Sequence, residues 1–328
     1  MAAAWPDDVD RIIDGDMTAA LAYVTPAGGA VVTAVAPIGL RDRERGTVGF
    51  TTSLGFGRKL ERIHKNPRIA LAYHTRKHGF AEGDRYVLVE GDARITLEPD
   101  RDYLDREIGP RAERYLGPRK SGLFWDRWLR EYYADRVPVD VEVRRILSWP
   151  DLACAGQPEA FGETAPAAQP EPQPPPKNGT GPRIDAARAG AKAGKLPFVL
   201  LGFVAADGYP AVHPVEIADA GPDGFVLTAA DPALIPPGGR RAGLLAHDYG
   251  KQLVALQAQQ FTGWLTADEG SGRGLYAPHT RQAFRAPGNK TLLLLANGFL
   301  AKRGLRKAVG SGALDRLKET AASRPRAS

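Results

Sequence analysis

The stretch 48-VGFTTSLGFGRKLERIHKNPRIALAYH-74 decides how the rest of the chain is read. An apolar, β-branched run ends in three hydroxyl residues, turns on two glycines and meets a basic pair, Arg58 and Lys59. A short helical pattern follows over Lys59–Lys65, then Asn-Pro, then a second apolar run over Arg68–His74. This spells a strand that feeds a short helix and returns as a strand. The start of such a helix leaves backbone N–H groups unpaired and turns its positive dipole end toward the mouth. Gly55 and Gly57 allow a close approach there. Arg58 offers a planar fork and Lys59 a point charge, while Thr51, Thr52 and Ser53 offer hydroxyls. These residue types in this order suit a phosphate. On the residues alone, a solvated basic helix start partnered by Glu61 or Glu44 is the other reading.

Working outward, Asp7–Gly15 carries Val9, Ile12 and Ile13 on one helical face. The runs Ala19–Val24 and Val31–Ile38, joined by Pro-Ala-Gly-Gly, read as a hairpin. Thr47–Thr52, Arg68–His74 and Tyr86–Thr96 supply further strands, the helical segments fill about 101–136, and VPVDVEVRRILSWPDL closes with a sixth strand. Short hairpin strands with few helices predict a small antiparallel barrel rather than a doubly wound sheet.

The second half echoes the first. LAYVTPAGGAVVTAV at 21–35 sits beside LGFVAADGYPAVHPV at 201–215, PRIALAYH at 67–74 beside RRAGLLAH at 240–247, and VEGDARIT at 89–96 beside FTGWLTAD at 261–268. The same order with comparable gaps predicts a tandem duplication. In the basic stretch the copies differ, for the second has Pro236 and Pro237 where the first has a helix. Between the copies, 156–182 is dense in Pro, Ala, Gln and Glu and reads as an extended, disordered linker. The expected division is a cofactor-binding barrel over 1–155, a linker over 156–190, a degenerate second barrel over 191–322 and a tail over 323–328.

Composition narrows the function classes. Of 328 residues, 43% are hydrophobic and 25% charged, which is the balance of a soluble globular protein. The net charge of +6 is spread among acidic residues, so no nucleic-acid partner is expected. A single cysteine, Cys154, excludes an intrachain disulfide, and six scattered histidines show no metal-ligand spacing. Residues 1–10 lack a basic run followed by an apolar one, and no apolar run reaches about 20 residues, so a cytoplasmic chain without a membrane partner is expected.

The order Thr-Thr-Ser, a glycine turn, Arg-Lys, NPRIALAYH and RYVLVEGDARI resembles the pyridoxamine 5′-phosphate oxidase-like split-barrel superfamily, over about 8–150 and most strongly over 46–95. The resemblance implies tandem split β-barrels of the FMN-binding type, mainly β with flanking helices. It implies FMN or the deazaflavin coenzyme F420, and hydride transfer to or from a small organic substrate. It further implies that Thr51, Thr52, Ser53, Arg58 and Lys59 grip the cofactor phosphate and that Tyr86 faces its ring. The strand VVTAVAPIGL lacks the Arg and Lys of the FMN oxidases, which points to the reductase branches. Hydride transfer needs no protein acid or base, in keeping with the lack of a visible triad. Tyr73, His74 and Tyr86 are candidate proton donors near the ring.

Relatives of this kind pair as homodimers, so a tandem chain is expected to form an intrachain pseudo-dimer with one cofactor. Two other readings are a haem-binding or haem-processing split barrel, using His74, His213, His247 or His279, and a non-catalytic cofactor-binding protein. Three further stretches stand out. RGLYAPHTRQAF at 273–284 reads as a loop carrying Tyr276, His279 and Arg281. KTLLLLANGFLAKRGLRKAV at 290–309 reads as a packed helix, with an anionic membrane as its other use. FWDRWLREYY at 124–133 reads as an aromatic packing stripe.

Overall fold

The computed structural model describes residues 4–134, 136–310 and 312–322, and the expected tail over 323–328 lies outside them. The first half runs α1 (Asp7–Gly15), β1 (Ala19–Val24), β2 (Ala30–Val35), β3 (Arg41–Asp42), β4 (Thr47–Ser53), α2 (Gly57–Lys65), β5 (Arg68–Tyr73) and β6 (Tyr86–Ile95). Short helices α3 (Arg101–Tyr103), α4 (Gly109–Leu116), α5 (Leu123–Trp128) and α6 (Arg130–Ala134) then lead to β7 (Arg136–Trp149) and β8 (Glu159–Gly162). The second half runs α7 (Ala186–Ala193), β9 (Phe198–Val204), β10 (Pro210–Pro214), β11 (Glu216–Gly221), β12 (Gly224–Thr228), β13 (Gly238–Asp248), β14 (Gln257–Ala267) and β15 (Arg273–Arg285). Two helices close it, α8 (Lys290–Gly310) and α9 (Ala313–Ala322).

The two sheets have one topology. The first is ordered β2-β1-β5-β6-β7-β4-β3 and the second β10-β9-β13-β14-β15-β12-β11, which is the same path traced twice. The registers coincide as well: Leu21 faces Leu71 in the first sheet, and Leu201 faces Leu244 in the second. Each sheet wraps its own core. Leu21, Phe50, Leu71, Val89 and Val141 fill the first together with α1 and α2, and Leu201, Phe225, Leu244, Phe261 and Tyr276 fill the second together with α7. The chain is two split barrels in tandem.

Strand alternation sends the other residues of β1 and β5 outward. Ala20, Ala22, Ala70 and Ala72 join Val32, Tyr86 and Leu88 in a third core against Leu200, Val212, Leu234 and Leu245 of the second barrel. Small side chains let the two backbones approach closely. A Cβ on Gly202 would stand 2.4 Å from Val32 Cγ2, and one on Gly243 would stand 2.7 Å from the Ala30 carbonyl oxygen. The pairing is reciprocal, since β2 meets β13 as β10 meets β5, the signature of an isologous interface.

Near the centre of this seam, equivalent histidines meet. His74 Nε2 lies 2.6 Å from His247 Nε2, both rings buried. His74 Nδ1–H donates to the Ala72 carbonyl (2.9 Å), so its Nε2 holds the lone pair and the proton of the contact belongs to His247. Burial pushes His74 down to about 4 and His247 well below its usual value.

Two expectations change here. The Pro-rich segment is ordered: Glu159–Gly162 adds β8 to the edge of β7 in the first sheet, and farther on Gln173 is hydrogen-bonded to both barrels. The stretch 273–284 is strand rather than loop: Pro278 sits at a bulge in β15, where a missing N–H breaks no ladder bond. Helix α8 caps the first barrel, with Trp128 Nε1 donating to the Leu295 carbonyl (3.2 Å) from the aromatic stripe. No helix among the described residues is long and apolar enough to cross a membrane.

His213, buried beside Trp149 and Phe203, titrates at about 4 because burial disfavours its charged form. The unfolded imidazole takes its proton near pH 6.5, so between those values the unfolded chain binds more protons and stability falls as pH falls. The contribution is complete above about pH 6.5 and is lost at up to about 1.4 kcal/mol per pH unit below it. Urea unfolding of wild type and His213→Gln from pH 7.5 to 4.5 should show the steeper decline in wild type. Parallel profiles would rule this out.

Candidate functional site

The reciprocal interface leaves two equivalent clefts, each where the hairpin turn of one barrel overhangs the strands of the other. Their charge differs. In the first cleft the β1–β2 turn (Thr25–Ala30) faces Arg241 and Ala242 of β13, Thr262 and Gly263 of β14 and His279 of β15. Arg62 of α2 and Pro176 and Arg183 of the Pro-rich segment complete a cavity of about 350 Å³. No carboxylate stands among its described lining residues, and among the described residues its guanidiniums meet neutral acceptors and rings. Arg241 reaches Gln173 Oε1 and the Pro174 carbonyl (both 3.3 Å) and lies over the Trp264 ring. Arg183 donates to the Gly179 carbonyl (3.2 Å), and Arg62 bonds to the Tyr23 hydroxyl. Burial first, and then the Arg183 and Arg241 charges, lower the pKa of His279, which favours the neutral ring.

The second cleft has the same number of arginines and is neutralised. Arg144 pairs with Asp92 (2.8 Å) and Glu163 (3.6 Å), and Arg94 pairs with Glu142 (3.2 Å). Tyr209 fills the space under the overhanging turn, donating to Asp92 Oδ1 (3.0 Å) and lying beneath Arg68.

Register identifies the substitutions that separate the clefts. Arg68 faces Asp92 across β5–β6, and Arg241 faces Trp264 across β13–β14. An aromatic ring therefore stands where the other cleft has its acid. In the hairpin turns Gly29 occupies the place of Tyr209, and any Cβ there would lie 2.7 Å from Arg241 Cβ. Both long hairpins carry a bulge at one place: Glu90 faces Arg145 and Gly91 faces Val143, while Thr262 faces Thr280 and Gly263 faces Pro278. The extra residues are Arg144 and His279, each re-aimed toward its cleft. The buried Glu90–Arg145 ion pair of the first barrel becomes the Thr262–Thr280 hydroxyl pair (2.6 Å) of the second.

The expected ligands of the opening stretch are divided by the same geometry. Thr52 lies on the core side of β4 with Phe50, and its Oγ1 has no hydrogen-bond partner among the described residues. Thr51 lies on the opposite face and accepts from Arg136 Nη1 (3.2 Å). Ser53 Oγ caps Gly55 N (3.2 Å). Gly55 does permit a close approach, but the approaching group is Gly304 of α8, 3.1 Å from where a Cβ would stand. Lys59 lies over the Phe56 ring, and burial, reinforced by Arg136, pushes its ammonium down to about 8. Arg58 is exposed, one helical turn before Arg62, and both charges act on the Tyr23 hydroxyl. Thr51 and Lys59 thus share a corner with Arg136, and Arg58 belongs to the side of the basic cleft. Tyr86 donates to the Val212 carbonyl (2.7 Å) inside the core between the barrels. Tyr73 is buried in the first core and His74 in the seam. Arg62, Arg183 and Arg241 escaped the sequence reading, although the aligned repeats already showed Trp264 against Asp92 and Gly29 against Tyr209.

No family model and no curated protein matches the chain. Among solved structures it is similar to a conserved hypothetical protein of Mycobacterium tuberculosis (22% identity, 45% of this chain and 86% of that one, TM-score 0.34). It is also similar to general stress protein 26 of Bacillus anthracis (16%, 43% and 91%, TM-score 0.29). A third is a protein of Nostoc punctiforme (12%, 41% and 74%, TM-score 0.29) described as pyridoxamine 5′-phosphate oxidase-related and FMN-binding, the superfamily whose motifs this sequence resembles.

Replacing Arg145 alone by Thr leaves Glu90 buried beside no guanidinium and should cost about 3–5 kcal/mol of unfolding free energy. The Glu90→Thr, Arg145→Thr double variant installs the pair found in the second barrel and should recover the part of that loss due to Glu90, but not the part due to the Arg145–Asp207 ion pair (2.6 Å). Urea denaturation of the three proteins checks it, and a double variant as unstable as the single one would contradict it.

Proposed function

We propose that the protein is a flavin- or deazaflavin-dependent oxidoreductase that holds one cofactor per chain, with the anionic tail of the cofactor in the basic cleft. The observation that supports this is the contrast between the clefts: one keeps Arg62, Arg183 and Arg241 without a carboxylate, and its equivalent is filled by ion pairs and Tyr209. Guanidiniums kept together without counter-ions repel one another, and an anionic ligand removes that cost while accepting their forked donors. Arg58, on the same face of α2, extends the positive surface along the helix. Of the other ligands implied by the family resemblance, Thr51 is engaged by Arg136 and Lys59 lies over the Phe56 ring, so the tail is assigned to the side of Arg58 and Arg62.

Bound there, the cofactor would supply the hydride chemistry. The chain's own residues bind and orient. Arg62 and Arg241 come from different barrels, so a ligand joining them is fixed in the seam. Trp264 gives Arg241 an apolar backing, and the neutral His279 lines the cleft without adding charge. The substrate would be a small organic molecule reaching the ring from the open side of the cleft. A haem reading is less well supported, because His74 and His247 engage each other and His213 is buried, which leaves only His279 beside a cavity.

Titration with FMN and with the deazaflavin, followed by absorbance, tests the reading. One equivalent of one of them should bind, and Arg62→Ala or Arg241→Ala should weaken it by about 1.5–3 kcal/mol, roughly 10- to 100-fold. Failure of both cofactors to bind, two equivalents per chain, or unchanged affinity in the Arg62→Ala, Arg241→Ala double variant would reject it. Binding without turnover of any electron acceptor would remove the enzymatic part.

A further inference from the structure

The Pro-rich segment between the barrels has the build of a fitted part. Arg240 Nη1 donates to the Pro170 carbonyl (3.1 Å), and Pro172 lies against Gly238, where a Cβ would stand 2.7 Å from its Cγ. Gln173 then ties both barrels to the strap. Its N–H donates to the Gly239 carbonyl (2.7 Å), its Oε1 accepts from Arg241 N–H (3.0 Å), and its Nε2 donates to the Gly28 carbonyl (2.8 Å). One residue thus holds the hairpin turn over the cleft and fixes the backbone of the cleft's central arginine. Beyond it, Arg183 N–H donates to the Pro278 carbonyl (2.9 Å) beside the bulge at His279. These ties place Pro176 and the Arg183 side chain in the cavity wall.

A linker that only joined two barrels would need none of these contacts, and prolines make this one stiff. The strap crosses the basic cleft and brings it a third guanidinium from a third element. One phosphate is matched by one or two forked donors. Three guanidiniums on three separate walls, none of them ion-paired among the described residues, exceed what a single phosphate needs.

We propose that residues 170–183 form the specificity wall of the basic cleft, and that the ligand they select carries more than one anionic group, with Arg183 serving the group farther from the barrel seam. This rests on the cleft being the place where the anionic tail lies, and it adds the class of tail: a polyanion in preference to a monophosphate.

The test uses inorganic phosphate and tripolyphosphate as probes, in calorimetric titrations of the full chain at fixed ionic strength. Wild type should bind tripolyphosphate at least tenfold more tightly than phosphate. Arg183 is exposed, so Arg183→Ala should keep the wild-type melting temperature while the preference drops to about twofold. Gln173→Ala, which retains every charge and releases the strap, should lower the preference too. A preference unchanged by either substitution, or no binding of either probe by wild type, overturns the proposal. The outcome is separable from the cofactor reading. If a flavin or deazaflavin binds while Arg183→Ala leaves the probe preference intact, the strap proposal fails alone. If the preference depends on Arg183 and neither cofactor binds, the polyanion site stands and the oxidoreductase reading fails.

Discussion

The architecture depends on how closely two sheets lie back to back. Residues 20, 22, 70 and 72 are all alanine, and their equivalents in the second barrel include Gly202 and Gly243, which leave no room for even a methyl group. An outward sheet face built of such small residues would bury little if exposed to water alone. Pressed against its equivalent, it forms a dry core whose area substitutes for side-chain bulk. That approach brings His74 onto His247, places Tyr86 beneath the Val212 carbonyl and lays each hairpin turn across the strands of the other barrel. The clefts are consequences of this packing. Any enlargement at the glycine positions would separate the turns from the strands they overhang.

A reciprocal interface within one chain removes a constraint that a homodimer cannot escape. In a dimer of identical subunits a change that opens one cleft opens both. Covalent linkage lets the clefts diverge, and here they have. Asp92 and Tyr209 neutralise and fill one, and Trp264 and Gly29 leave the other basic and open. The buried ion pair at Glu90 and Arg145 gives way at its equivalent to two hydroxyls, which carry no desolvation cost of charge. The charged version anchors the solvated, ion-paired side, and the neutral version sits behind the side that retains uncompensated guanidiniums.

Much of this was legible in the sequence because strands and hairpins announce themselves by short-range pattern. The hairpin at 19–38, the strand–helix–strand unit at 47–74 and the three aligned pairs of segments all follow from alternation and turn residues. What failed was inference across a turn of helix or a pleat of strand. Arg58 and Lys59 are adjacent in sequence, yet about 100° apart around α2, so one faces the cleft side and the other lies over the Phe56 ring near Arg136. Thr51 and Thr52 are separated in the same way by the pleat of β4. The strand at 273–285 was hidden because Pro278 looks like a breaker, and its tolerance at a bulge is a property of the partner strand. The strap was hidden by composition: Pro, Ala and Gln have little to bury, and the order here comes from hydrogen bonds to surfaces folded elsewhere in the chain.

The copies themselves carried a stronger signal than any single motif. Once two repeats share a register, each aligned pair is a controlled substitution in one backbone setting, and a change of charge or bulk at a position facing the seam has a direct physical meaning. Asp92 against Trp264 removes a counter-ion, Tyr209 against Gly29 removes a plug, and Arg144 against His279 exchanges a fixed cation for a titratable ring whose surroundings favour the neutral form. The first two changes favour accepting negative charge from outside the chain, while the third lowers the cleft's own positive charge. The second barrel, which lacks the basic helix mouth of the first, supplies strands, the ring and one of the cations of the basic cleft, which the first barrel cannot form by itself.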